Sequence, residues 1–268
     1  MKVLKIIAHL LIITFLTILT QIGGIVWFLV FLHFKFSKTR KSKKFRLSTF
    51  VTIYILTTLI LVPQLSKINN RVALPIGQAA PLAPHNYLTV LLNRHYVNPN
   101  LKDLLIDTAE KFAIKNKGLK IKYLDANFPF INGFPLLPHL SHNDGRKVDL
   151  AFQYIEDQKP SNRKPSRSGY GVFEQARGNE ENQTDVCKNK GYWQYDYPKY
   201  LSLGSKEGFV FDVERTKDLI DLLLANPESQ KLFVEPHLKQ RLRLNNKKIR
   251  YQGCHSVRHD DHIHFQIK

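Results

Sequence analysis

The chain ends in RHDDHIHFQIK, which packs His259, His262 and His264 into six residues. Imidazole is a metal ligand in its neutral form and exchanges protons near neutral pH. HIHFQIK alternates like a strand, so His262 and His264 project from one face. One of them can hold a metal while the other stands beside it as a base, and His259, at the strand entrance, can reach the same cleft. The competing reading is a solvated, histidine-rich tail.

A second cluster lies in HLSHNDGRKVDL, residues 139–150, with His139, His142, Asp144 and Asp149. Gly145 permits a tight turn and VDLAF enters a strand, so His142 and Asp149 can aim at one point despite their separation along the chain. Read alone, Asp149 can equally pair with a basic neighbour and His142 can sit at the surface. Taken together, one histidine and one aspartate from this cluster plus His264 make three ligands. A fourth, open position for water is the arrangement of a catalytic rather than a structural zinc site. Cys187 and Cys254 are too few for a closed structural site. In an oxidising compartment they can form a disulfide; two buried thiols are the alternative.

HLSHNDGRKVDL followed far downstream by HDDHIHF resembles the penicillin-insensitive murein endopeptidase family. That family lies within the superfamily of zinc peptidases that includes lysostaphin-type enzymes, D-Ala-D-Ala peptidases and the hedgehog signalling domain. FDVERTKDLIDLLLANPESQKLFVEPHLKQRL is similar to the family's helix, strand and helix before the last motif, so the resemblance spans residues 98–268. It implies one zinc ion held by His142, Asp149 and His264, with His262 as catalytic base and His139 and His259 assisting from the cleft wall. The implied reaction is hydrolysis of the peptidoglycan cross-link between D-alanine and a diamino acid. Alternatives are a D,D- or L,D-carboxypeptidase on wall peptides, or a non-catalytic, zinc-bound wall-binding module. His262 beside His264 favours an enzyme, because a purely structural site needs no base. The family is usually exported as a soluble enzyme, and the polar, Gly/Pro-rich stretch 159–184 has no assigned counterpart in it. That stretch is either a functional loop or a disordered insert.

The elements that must carry these groups read as α+β, a small antiparallel sheet flanked by helices. Asn100 is placed to cap a helix in which Leu101, Leu104, Leu105 and Phe112 recur at helical spacing, with Gly118 ending it. LKIKYL alternates as a half-buried strand. A helix over 213–225 follows the cap Asp212 and stops before Pro227; KLFVEP reads as a strand end and HLKQRLRL as a short helix. The aromatic run GYWQYDYPKYLSLG, residues 191–204, lines the cleft or packs into core and loops.

Upstream, the composition changes. The 268 residues carry a formal net charge of +18, yet residues 1–71 hold eleven Lys/Arg and no acid. Residues 6–34 and 47–65 are uncharged and long enough to cross a hydrocarbon core of roughly 30 Å. The first is longer than needed and can tilt or break at Gly23 and Gly24. A cleaved signal peptide fits less well, because the run is too long and a second one follows. Residues 1–66 are therefore expected as a two-helix membrane hairpin, 67–97 as a linker and 98–268 as the zinc peptidase domain. The loop 35–46 holds seven Lys/Arg, which makes it cytoplasmic under the positive-inside rule and puts both chain ends on the far side of a bacterial inner membrane. The expected partners are the bilayer and peptidoglycan; nucleic acid is a poor explanation for charge lying between two spans.

Overall fold

The structure is a computed structural model that describes residues 2–37 and 41–268. The apolar stretch 6–34, expected as one span that tilts or breaks at Gly23 and Gly24, does break there into two helices: α1 (Lys2–Thr20) and α2 (Gly23–Phe36). Gln21 takes a φ of 64° and the chain turns back on itself. Gly24 allows the close approach, since a Cβ there would lie 2.0 Å from Thr17 Oγ1 and 2.5 Å from the Ile13 carbonyl. Trp27 Nε1 donates to His9 Nδ1 (3.2 Å), and the His9 and Phe31 rings lie 4.2 Å apart, so the two helices are antiparallel.

Helix α3 (Lys43–Leu56) returns along α2, with Trp27 on Phe50 at 5.1 Å and Phe34 on Phe45 at 6.1 Å. The rod continues through a π turn (Thr57–Leu61), α4 (Val62–Leu65) and a 3-10 turn (Ser66–Asn69). Two helical segments, Val3–Thr20 and Lys43–Asn69, are long and apolar enough to cross a membrane, whereas α2 is shorter. Because α1 and α2 are antiparallel, the first residues lie at the same end of this bundle as loop 35–46. The expectation that both chain ends lie opposite that loop is corrected accordingly. Residues 38–40 of the loop lie outside the described residues.

Residues 67–97 are not a free tether. They form β1 (Val72–Ala73), β2 (Leu82–Pro84), α5 (Tyr87–Leu91) and β3 (Tyr96–Val97), and they bury Leu74, Leu82, Val90 and Tyr96. Helix α6 (Pro99–Lys115) follows. Its cap is Asn98, which accepts from Leu101 N at 2.8 Å, rather than Asn100; Pro99 occupies the first turn, where its missing N–H costs nothing.

The remaining elements are β4 (Ile121–Tyr123), β5 (Lys147–Ala151), β6 (Tyr154–Glu156), β7 (Lys159–Ser161) and α7 (Gln183–Asn189). A 3-10 segment, Trp193–Leu201, precedes β8 (Phe209–Phe211), α8 (Val213–Ala225), β9 (Ser229–Phe233), α9 (Pro236–Arg241), β10 (Ile249–Arg250) and β11 (His262–Ile267). Asp212 caps α8, accepting from Arg215 N at 3.1 Å.

Six strands form the main sheet in the order β10-β9-β11-β5-β4-β2. It is mixed, not antiparallel throughout: the central pairs are antiparallel, while β10–β9 and β2–β4 are parallel. Strands β6, β7 and β8 make a separate three-stranded sheet. On one face of the main sheet Val148, Leu150, Ile263 and Phe265 join the core with Leu105 and Phe112 of α6 and Leu219 and Leu223 of α8. Each fully buried side chain of this kind contributes about 1.5–3 kcal/mol. Strand alternation then sends Asp149, His262 and His264 to the opposite face, which the loops cover.

Candidate metal centre

Strands β5 and β11 pair so that His264 lies directly across from Asp149 and His262 across from Ala151. Cross-strand neighbours on one face sit about 5 Å apart at Cβ, so the register alone brings the carboxylate and the imidazole together. His142 comes from the loop before β5, where Gly145 takes a φ of +81°. That left-handed conformation favours glycine, and a Cβ there would also meet the Arg71 guanidinium at 2.5 Å.

His142 Nε2, Asp149 Oδ1 and His264 Nδ1 form a triangle with edges of 3.2, 2.9 and 3.1 Å. Bonds of about 2.0–2.1 Å to a tetrahedral ion put neighbouring ligand atoms about 3.3–3.4 Å apart, close to these edges. The protons decide the chemistry. His142 Nδ1–H donates to the Ala126 carbonyl at 2.8 Å, which orients the ring so that Nε2 is the nitrogen facing the centre. Burial alone would raise the Asp149 carboxyl, but His142, His262 and His139 hold it well below the usual carboxylate range. Burial lowers His264 to about 4 against the pull of Asp149, so it is neutral. Ligand atoms of three buried side chains converge, and His142, Asp149 and His264 can hold a metal ion.

Around this triangle the other histidines fall into place. His262 Nε2 is 3.7 Å from Asp149 Oδ1, is buried and has no hydrogen-bond partner among the described residues, while Nδ1 is held by Asp261 Oδ1. Burial works against a charge on His262, yet Asp149 and Asp261 outweigh it and raise the imidazole to about 9. His139 Nδ1 sits 3.2 Å from Asp125 Oδ2 and 3.3 Å from Asp149 Oδ2. The His259 ring lies 5.1 Å from that of His262 and 5.7 Å from that of His264, and burial keeps it uncharged. The five sequence-identified histidines and Asp149 thus share one site. Asp144 does not: it accepts from Lys147 Nζ at 2.5 Å and from Arg146 N at 2.9 Å.

Several residues that sequence reasoning missed complete the site. Tyr170, from the 159–184 stretch, donates its hydroxyl to Asp149 Oδ2 (2.9 Å) and accepts from Asp125 N (3.0 Å). The part of the stretch around Tyr170 and Gly171 therefore folds over the candidate metal site. The flanking glycines in SGYG were the available signal: a Cβ on Gly169 would lie 2.2 Å from Leu124 Cδ2, at a φ of +95°. Asp125 bridges His139 to Arg94 (3.3 Å), and burial of its charge is outweighed by these partners. Gly171 N donates to Asp261 Oδ2 at 2.6 Å, and His259 N donates to Glu235 Oε1 at 2.8 Å. Tyr195 also donates to Glu235, so part of the aromatic run packs inside while Trp193 and Tyr197 line the cleft. Arg258, buried over the Phe173 ring, grips Asp260 and Asp196 and ties the aromatic segment to β11. Cys187 and Cys254 are at disulfide distance, with Cα atoms 5.3 Å apart, which adds a second tie.

The cleft has a volume of about 690 Å3 and is walled by His139, His142, His259 and His264. A slightly larger hollow of about 780 Å3, beside α9, is lined by Lys239, Arg243 and Arg250 and contains none of these histidines, so volume does not mark the chemistry here. No protein-family model matches this chain, and no curated protein matches it.

Proposed function

We propose that the chain is a membrane-anchored zinc peptidase that hydrolyses the peptide cross-links of peptidoglycan, a murein endopeptidase. The observation that carries the reading is the triangle of His142, Asp149 and His264 with the partnerless His262 Nε2 beside it. Imidazole nitrogen and carboxylate oxygen are donors that the borderline zinc ion accepts, and three protein ligands leave a position open. Zinc bound there supplies Lewis-acid polarisation of a carbonyl and lowers the pKa of a water toward about 7. His262 Nε2 takes the proton of the attacking water and returns it to the leaving amine, while Asp261 fixes the ring through Nδ1. With a cation on Asp149, His262 loses part of the attraction that raises it and returns toward the range in which imidazole exchanges protons at neutral pH. His139 and His259 close the wall around the scissile bond. Arg94 borders the same cleft, its guanidinium held by Asp125 at 3.3 Å.

In this reading the Val3–Thr20 and Lys43–Asn69 segments cross the inner membrane, and the shorter apolar α2 carries the chain back between them. Loop 35–46 and the first residues share the cytoplasmic side by the positive-inside rule, and the domain at the opposite end faces the periplasm or cell exterior. The test is incubation of the purified full chain with cross-linked muropeptide dimers. Monomers should appear, stop with a chelator and return with zinc. Loss of only the terminal residue would make it a carboxypeptidase, and intact dimers would refute the hydrolase.

A further inference from the structure

The metal cleft and the membrane segments meet. The turn between α1 and α2 is seated in the domain: Phe130 N donates to Gln21 Oε1 (3.0 Å), Asn93 Nδ2 donates to the Thr20 carbonyl (3.3 Å), and Ile22 packs with Val62 and Tyr96. Tyr54 of α3 donates to the Leu91 carbonyl of α5 at 2.5 Å. Leu19, two residues before the turn, is part of the cleft wall that holds the metal ligands His142 and His264. The 18 residues Val3–Thr20, at about 1.5 Å each, span about 27 Å, close to a hydrocarbon core. Leu19 therefore lies where hydrocarbon gives way to headgroups, and the cleft begins there.

The mouth of the cleft is apolar on its outer side. Trp193 is 74 % exposed, Leu140 56 % and Leu137 52 %, and all three border the cavity. Leu137 also borders a neighbouring hollow together with Leu88 of α5 and Leu203, which are 47 % and 60 % exposed. Helix α3 reaches this side of the domain through Tyr54 and also exposes Val51 and Ile55. So many large apolar side chains facing water are unfavourable for a soluble face. Beside Trp193, Tyr200 is exposed and Lys199 lies 5.1 Å over its ring. Tryptophan, tyrosine and lysine together are the composition of a membrane–water interface.

We infer that the rim of the metal cleft, Leu137, Leu140 and the Trp193 segment, docks into the lipid headgroup layer, so that the cleft opens at the bilayer surface. The inference rests on the membrane reading of α1 and α3 given above and is independent of the hydrolytic one. Docked in this way, the cleft takes peptides that lie along the membrane rather than peptides deep in the wall.

The chain has two tryptophans, Trp27 in α2 and Trp193 in the rim, so each can be read alone. The full-length Trp27→Phe and Trp193→Phe variants are reconstituted in phosphatidylethanolamine/phosphatidylglycerol vesicles containing nitroxide-labelled phospholipids. Trp193 emission should be quenched by labels at the headgroup or top of the acyl chain and less by deep labels, while Trp27 is quenched by deep labels. Trp27 quenched by lipid with Trp193 open only to aqueous iodide would overturn the docked rim and leave the anchor standing. Neither tryptophan sensing lipid would overturn both. No outcome depends on turnover, so failure here is separable from failure as a peptidase.

Discussion

Replacing Tyr170 by phenylalanine removes one oxygen and probes whether the loop over the site holds the metal ligand in place. In the intact chain Asp149 Oδ1 faces His142 and His264, while Oδ2 is fixed by the Tyr170 hydroxyl at 2.9 Å and by His139 at 3.3 Å. Burial and the neighbouring Asp149 and Asp125 raise the phenol well above its ordinary value, so it remains a donor. Its loss forfeits a hydrogen bond to a charged acceptor, about 1.5–3 kcal/mol, and strips the buried Asp125 N–H of its partner, about 1–3 kcal/mol. The two terms overlap, so the metal-free variant should lose about 2–4 kcal/mol in urea unfolding. Freed on one side, the carboxylate rotates away from the triangle, and zinc affinity should fall about 10–100-fold, as for other groups that orient metal ligands. Competition with a chromophoric chelator at fixed pH measures this, with circular dichroism checking the fold. Zinc affinity within about twofold of the parent, a difference of about 0.4 kcal/mol, would refute the claim that Tyr170 orients Asp149.

Other outcomes follow from single groups. Asp149→Asn and His264→Ala should each release zinc from the purified chain, measured by elemental analysis; normal zinc content would dissolve the proposed site. Cys187→Ser should destabilise the domain by about 4 kcal/mol in denaturant, because the bond closes a loop of 67 residues; an unchanged midpoint under oxidising conditions would mean the bond is not formed. Lys164 is buried with Nζ on the Phe152 carbonyl at 2.7 Å, and burial, aided by Lys122, lowers it to about 7. Its folded value lies below an unfolded one of about 10.4, so its penalty is full below about pH 7 and fades by about pH 10. Lys164→Met should therefore stabilise the chain at pH 7 by up to ~4 kcal/mol and flatten the rise in stability from pH 7 to 10. A parallel pH profile in the variant would show that this lysine is not charged on unfolding.

The site was more legible than its frame. Alternation in HIHFQIK placed His262 and His264 on one face, and β11 bears that out, because period-two patterning is a local property. The α8 helix with its Asp212 cap was readable for the same reason. What could not be read is the pairing of Asp149 with His264 across β5 and β11, since register between strands over a hundred residues apart leaves no local trace. Tyr170 was hidden in a polar loop whose composition matches that of a disordered one. Residues 67–97 looked like a linker because Pro and Ala suit both tethers and short edge strands, and only burial of Leu74 and Leu82 separates them. The break at Gly23 and Gly24 was legible as one of two alternatives, but hydropathy is blind to a turn inside an apolar run and could not choose it over a tilted single span.

The most direct test of the account is the rate at which the zinc-loaded His262→Ala chain opens cross-linked muropeptide dimers. His262 touches none of the three ligand atoms closely enough to hold the ion, so zinc should stay at one per chain. Turnover should fall by about 10²–10⁴, the usual contribution of a positioned acid–base group. Undiminished hydrolysis with zinc in place would contradict the assignment of His262 and, with it, the mechanism built on this site.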